Sequence, residues 1–103
     1  MPARTFSDDL GRKWIQPCLA EAWLADGRWT QAEVAADEAI RLDPLREVNH
    51  RQRIRALIGA GNRARALQAY RQLEVRLAED FGVSPSPETE ALFEVALGVT
   101  PPE

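Results

Sequence analysis

The sequence predicts an all-α protein, and three observations carry that expectation. Apolar residues recur at helical spacing, as in Ala66, Tyr70, Leu73 and Leu77, which places them on one face of a helix. Glycine and proline punctuate the chain at helix-length intervals, and no segment alternates as a strand does. Compared with itself, the chain has one clear offset, 34 residues. It lays Gly27 on Gly61, Trp23 on Leu57, Ala32 on Ala66, Ala35 on Ala69, Ala36 on Tyr70 and Ala39 on Leu73.

An offset of that size is the period of tetratricopeptide repeats, whose unit is a pair of antiparallel helices. The expected architecture is a tetratricopeptide-like right-handed α-solenoid of two helix pairs plus a terminal helix. Gly27 and Gly61 fall where the chain must reverse, a place where positive φ is needed. Ala32 and Ala66 fall where helices approach closely, and Trp23, Leu57 and Tyr70 fill the space between pairs.

Taken in order, the first core helix is expected at about residues 17–26, because Pro17 would break a helix arriving from Leu10. Residues 1–16 are then an N-terminal strap or short helix, 17–97 the helical domain and 98–103 a flexible tail. Thr30-Gln31-Ala32-Glu33 reads as a capping box, with Trp29 and Val34 as its hydrophobic staple, so the second helix would run from about Gln31 to Leu42. Asp43 would cap the third helix with Pro44 at its first position. That helix carries His50, Ile54, Leu57 and Ile58 on one face and should end near Ala60. Asn62 is placed to cap the fourth helix, Gly82 to end it in a left-handed conformation. Ser86 and Pro87 would open the last helix, with Leu92, Phe93, Ala96 and Leu97 as its apolar residues.

Composition bounds the class. A chain of 103 residues with 45% apolar residues can bury one modest core. No apolar run approaches the roughly 20 residues of a membrane span. The start lacks a secretory signal, and a single cysteine, Cys18, forms no internal disulfide, so a cytoplasmic location is expected. The net charge of −3 is too small to argue for nucleic-acid binding. It is unevenly spread: residues 44–76 hold eight arginines against Glu47 and Glu74, whereas residues 77–103 hold six acids and no base. Such blocks can pair within the fold, pair between copies or remain solvated faces.

No residue constellation suggests catalysis, and the chain is not expected to be an enzyme. Glu47 and His50 have the Glu-x-x-His spacing of di-iron bundles, but His50 is the only histidine and a metal site there would need a second such pair. His50 is therefore expected to pack beside Ile54 with a ring nitrogen bonded nearby. Cys18 is expected to be a small buried side chain, and Gly59-Ala60-Gly61 a turn and not a phosphate cradle. No metal or cofactor is implied.

The run Asp43-Pro44-Leu45-Arg46-Glu47, His50-Arg51, Ala56-Leu57, Gly61-Asn62-Arg63, Ala66-Leu67, Tyr70, Leu77, Glu79, Phe81-Gly82, Pro85-Ser86-Pro87-Glu88-Thr89 and Leu92 resembles the bacterial transcriptional activator domain. That domain is a tetratricopeptide-like module of antibiotic-pathway and other multidomain bacterial regulators. The resemblance covers about residues 19–97. It implies dimerisation and contacts with transcription partners, in a module that usually follows a winged helix–turn–helix domain not found in these 103 residues.

With repeat geometry, Arg51 and Arg55 would project together into a concave groove opposite Glu21 and Leu24. Two guanidiniums on one face suit a carboxylate or an acidic helix; the acidic last helix (Glu88, Glu90, Glu94) or plain solvent are the other destinations. Trp14 is expected to cover the open end of the stack or to lie in a subunit contact. The expected function is that of a protein–protein interaction module of a transcriptional regulator, acting as a homodimer without direct nucleic-acid contact. The alternative is a free-standing tetratricopeptide adaptor unrelated to transcription.

Overall fold

The computed structural model describes residues 15–98; the expectations for residues 1–14, Trp14 included, and for 99–103 lie outside them. The described residues form five helices and no strand. We label them α1 (helical over 15–25), α2 (Trp29–Leu42), α3 (Glu47–Gly59), α4 (Arg63–Phe81) and α5 (Pro87–Leu97). Helical backbone is already present at Ile15 and Gln16, two residues ahead of the expected start at Pro17. Helix α2 packs on α3, α3 on α4, and α5 against both α3 and α4.

The 34-residue offset is written into the backbone. Gly27 N–H donates to Leu24 O and Arg28 N–H to Trp23 O, at 3.1 and 2.9 Å; Gly61 and Asn62 repeat this with Ile58 O and Leu57 O at 3.0 and 2.8 Å. Gly27 and Gly61 have φ of 71° and 79°, which an L side chain adopts only with strain. Ala32 and Ala66 are both fully buried, as are Ala36 and Leu73. The α4 stripe Ala66, Tyr70, Leu73 and Leu77 is buried throughout, and the Tyr70 ring stacks on Phe93 of α5 at a centroid distance of 4.3 Å.

Helix starts differ from expectation. Helix α2 begins at Trp29 with Arg28 as its N-cap and no side-chain cap, so the Thr30–Glu33 capping box is not used. Val34 is exposed and forms no staple. Trp29 is committed elsewhere, because its ring lies on Gly59 so closely that a Cβ there would meet it at 2.6 Å. Asp43 ends α2 and does not open α3, which starts three residues after Pro44. The intervening turn is held by buried Asn49, whose Nδ2 donates to Ala39 O and Asp43 O. Asn62 occupies the N-cap of α4 without a side-chain bond, and Gly82 ends that helix at φ 67° as expected. Cys18 is exposed, not buried, and Leu97 is nearly half exposed.

Helix α5 is held at both ends. At its start, one oxygen of Glu47 accepts the Ser86 N–H at 2.7 Å and the Thr89 hydroxyl at 2.6 Å. At its end, Arg63 Nε donates to Ala96 O at 2.9 Å. A carboxylate at a helix N-terminus and a guanidinium at its C-terminus both complement the helix dipole. Burial raises the Glu47 proton affinity, but the bonds from Thr89 and Ser86 and the charge of Arg51 outweigh it, leaving the carboxyl below its usual range.

Two outcomes follow from these contacts. Gly59→Ala should destabilise the fold by about 1–3 kcal/mol in chemical unfolding despite alanine's better helix propensity, because the Trp29 ring must move. Glu47→Gln should flatten the acid limb of the stability profile. With its native pKa depressed, Glu47 stabilises fully above pH about 4.5 and loses that contribution as pH falls through the native value. Urea midpoints measured between pH 6 and 3 check this, the wild type losing more stability than the variant.

Candidate partner-binding groove

Four helices contribute to a groove of about 310 Å³ lined by Leu24, Trp29, Ile58, Leu92, Val95 and Arg55. Its walls come from α1 and α5, and α3 forms its floor. Leu24 is buried against Ala32 and Ala56, so it supports the groove more than it presents a free surface. Ile58 and Leu92 pack their inner edges on the Ile54–Leu57–Tyr70 core. Closely spaced apolar side chains of this kind, with one charged group at the edge, suit the apolar face of another peptide element.

The charged residues at the rim are engaged within the fold. Arg55 pairs with Glu21 at 3.0 Å, both side chains being about half exposed. Gln52 is buried beneath this pair and donates to Glu21 Oε1 at 3.1 Å and to Pro17 O at 3.0 Å. Burial pushes the Glu21 carboxyl up, but its bonds from Gln52 and Arg55 and the Arg55 charge bring it below the usual range. Arg55 therefore faces Glu21. Arg51 does not join them: its guanidinium donates to Thr89 Oγ1 at 3.4 Å, on α5. That contact is to the α5 hydroxyl that lies between Glu88 and Glu90 in the sequence. Trp14 lies outside the described residues.

Sequence reading missed the part that Trp29, Gly59 and Val95 play in this groove. The spacing of Leu92 and Val95, three apart on one face, was its only local signal. A larger hollow, about 580 Å³, lies on another face between α2, α3 and α4, with Ile40, His50, Arg53, Val75 and Arg76 among its lining. Its arginines are largely balanced, since Arg53 pairs with Asp37 at 3.2 Å and Arg71 with Glu74 at 3.2 Å. His50 is buried there with Nε2 donating to Pro44 O at 2.6 Å, the packed and bonded histidine that its lone occurrence implied. Burial, helped by Arg76 and Arg53, depresses its proton affinity. Among the described residues no group of three or more histidine, cysteine or acidic side chains could hold a metal, and no helix is long and apolar enough to cross a membrane.

Comparison with known proteins agrees with the residues quoted for the resemblance. The profile of the bacterial transcriptional activator domain matches residues 15–97. Curated proteins and solved structures give no match. The matched span runs from the start of the described α1 to the last residue of α5, taking in the groove and both ends of the α5 clamp. The chain belongs to the bacterial transcriptional activator domain family.

Proposed function

We propose that this chain is a protein–protein interaction module of a bacterial transcriptional regulator, and that the α1–α3–α5 groove receives its partner. The observation that supports this most is the apolar lining of that groove, open at the surface and edged by Arg55, within a family of transcription modules. We read the architecture as a tetratricopeptide-like right-handed solenoid, a reading supported by the recurrence of turn hydrogen bonds at 34 residues. In such a solenoid α1, α3 and α5 are the first helices of successive pairs and line the concave side.

The module acts through proteins, not by touching nucleic acid. Six of the ten described arginines, Arg28, Arg41, Arg53, Arg55, Arg65 and Arg71, are each paired with a carboxylate of the same chain, which reduces the positive surface open to phosphates. No catalytic role is proposed for the groove, whose one charged lining residue, Arg55, is held by Glu21. Its partner is a protein of the transcription machinery or a DNA-binding regulator, in the cytoplasm. A free-standing adaptor remains the second reading in kind, but the family match favours the first.

The groove is tested with the full chain against RNA polymerase and DNA-binding regulators of its own host. Val95→Lys places a charge on a half-buried groove wall and should weaken the interaction about tenfold or more, the usual scale for a central interface position. Circular dichroism must show an unchanged helical fold. Wild-type affinity in a folded Val95→Lys protein overturns the groove assignment. We further propose a homodimer, supported by the exposed Phe81, Val83 and Leu97. Light scattering should give twice the 11.5 kDa chain mass, and a monomer at high concentration would contradict it.

A further inference from the structure

The hollow of about 580 Å³ between α2, α3 and α4 has no part in the groove. Its origin is a gap between helices. Among the described residues α2 and α4 both pack on α3 and, one ion pair aside, not on each other. Helix α3 is therefore the floor of a wedge-shaped space. Two ion pairs close the gap toward the start of α2. Glu33 of α2 reaches Arg65 of α4 at 2.6 Å, and one turn on, Asp37 reaches Arg53 of α3 at 3.2 Å. Ile40 follows on α2, and the next arginine in the lining, Arg76 of α4, has no acid on α2 to meet.

The lining holds two donors without acceptors. Gln72 and Arg76 are four apart on one face of α4. Arg53 Nη1 donates to Gln72 Oε1 at 3.4 Å, which leaves the Gln72 amide nitrogen as the free end. Among the described residues, neither that nitrogen nor the Arg76 guanidinium has a hydrogen-bond or ion-pair partner. Arg71 is committed elsewhere, to Glu74 and to the ring of Phe93. His50 on the floor spends its Nε2 proton on Pro44 O and is kept neutral by burial, with Arg76 and Arg53 nearby.

Beside these donors Ile40 and Val75 supply apolar surface, Val75 being 54% exposed. An amide and a guanidinium side by side suit a carboxylate, and the apolar pair suits a hydrocarbon or aromatic body. The volume falls in the range of small-ligand sites, about 300–1,000 Å³. Glu79, one turn beyond Arg76 in the same lining, limits the charge that fits. A dianion would gain one positive partner and meet a negative one.

We infer that the α2–α3–α4 hollow is a binding site for a small amphipathic monocarboxylate, its carboxylate on Gln72 and Arg76 and its apolar body between Ile40 and Val75. The site lies on another face from the α1–α3–α5 groove and does not rest on that assignment.

The probe is octanoate, titrated into the full chain and followed by methyl NMR at Ile40 and Val75, with Val95 reporting on the groove. The first two signals should move on one saturable curve while Val95 stays in place. Octanol, with the same body and no charge, should bind about fivefold more weakly or worse, and octyl phosphate no more tightly than octanoate. Arg76→Gln should weaken octanoate about tenfold, the scale of one charge-assisted hydrogen bond in a partly wet site. Glu79→Gln should tighten it about threefold, as loss of a nearby exposed like charge does. Both positions are exposed on α4 and glutamine is a good helix former, so both variants should fold, as circular dichroism will show. Unchanged octanoate affinity in folded Arg76→Gln overturns the inference, as does the absence of saturable binding or a response centred on Val95. Octanol binding as tightly as octanoate, octyl phosphate binding more tightly, or no gain in Glu79→Gln overturns it as well.

Discussion

The contact on which the rest of the structure depends is the Glu47 carboxylate at the start of α5. Helix α5 is the last and shortest of the four helices described from end to end, 11 residues, and a helix of that length has little stability of its own. Its burial is also modest, with only Thr89 and Ala96 fully inside. What fixes it is polar. Glu47 accepts the backbone N–H of Ser86 and the hydroxyl of Thr89, and Arg63 binds Ala96 O at the other end. Both anchoring residues stand at the first positions of their own helices, α3 and α4. The clamp therefore fixes α5 relative to both partners at once. Hydrogen bonds to a charged acceptor contribute about 1.5–3 kcal/mol each when shielded and less when wet, enough to decide the position of so short a helix.

Function in this account is a consequence of that placement. The groove has Leu92 and Val95 as one wall, and both residues belong to α5. The stack of Tyr70 on Phe93 and the guanidinium of Arg71 5.1 Å above the Phe93 ring complete the seat of the same helix. The Arg55–Glu21 pair with Gln52 beneath it ties α1 to α3 across the far wall. A groove held by specific polar contacts on both sides presents its apolar lining without having to assemble it on binding, which lowers the entropy cost of association.

Much of this was legible in the sequence where a single periodicity carries it. The offset from Gly27 to Gly61 forecast two chain reversals with positive φ, and the Ala66–Leu77 stripe forecast the buried face of α4. The helix starts were harder, because capping residues are interchangeable locally while tertiary contacts are not. Thr30 and Glu33 form a sound capping box on paper, yet Trp29 is drawn into the helix by its seat on Gly59. Asp43-Pro44 reads as a helix start, but Asn49 needs the carbonyls of Ala39 and Asp43 and lengthens the turn. The clamp was illegible for another reason: Glu47 and Ser86 are 39 positions apart, and nothing local links them. The groove draws on four helices, so no one helix announces it.

Site-specific photo-crosslinking from Val95 in the native host tests the central claim most directly, with Ala78, an exposed position on α4, as the reference. The account predicts that a crosslinker at Val95 captures an RNA polymerase subunit or a DNA-binding regulator that the same group at Ala78 does not. Identical capture from both positions, or no transcription protein from Val95, would contradict it.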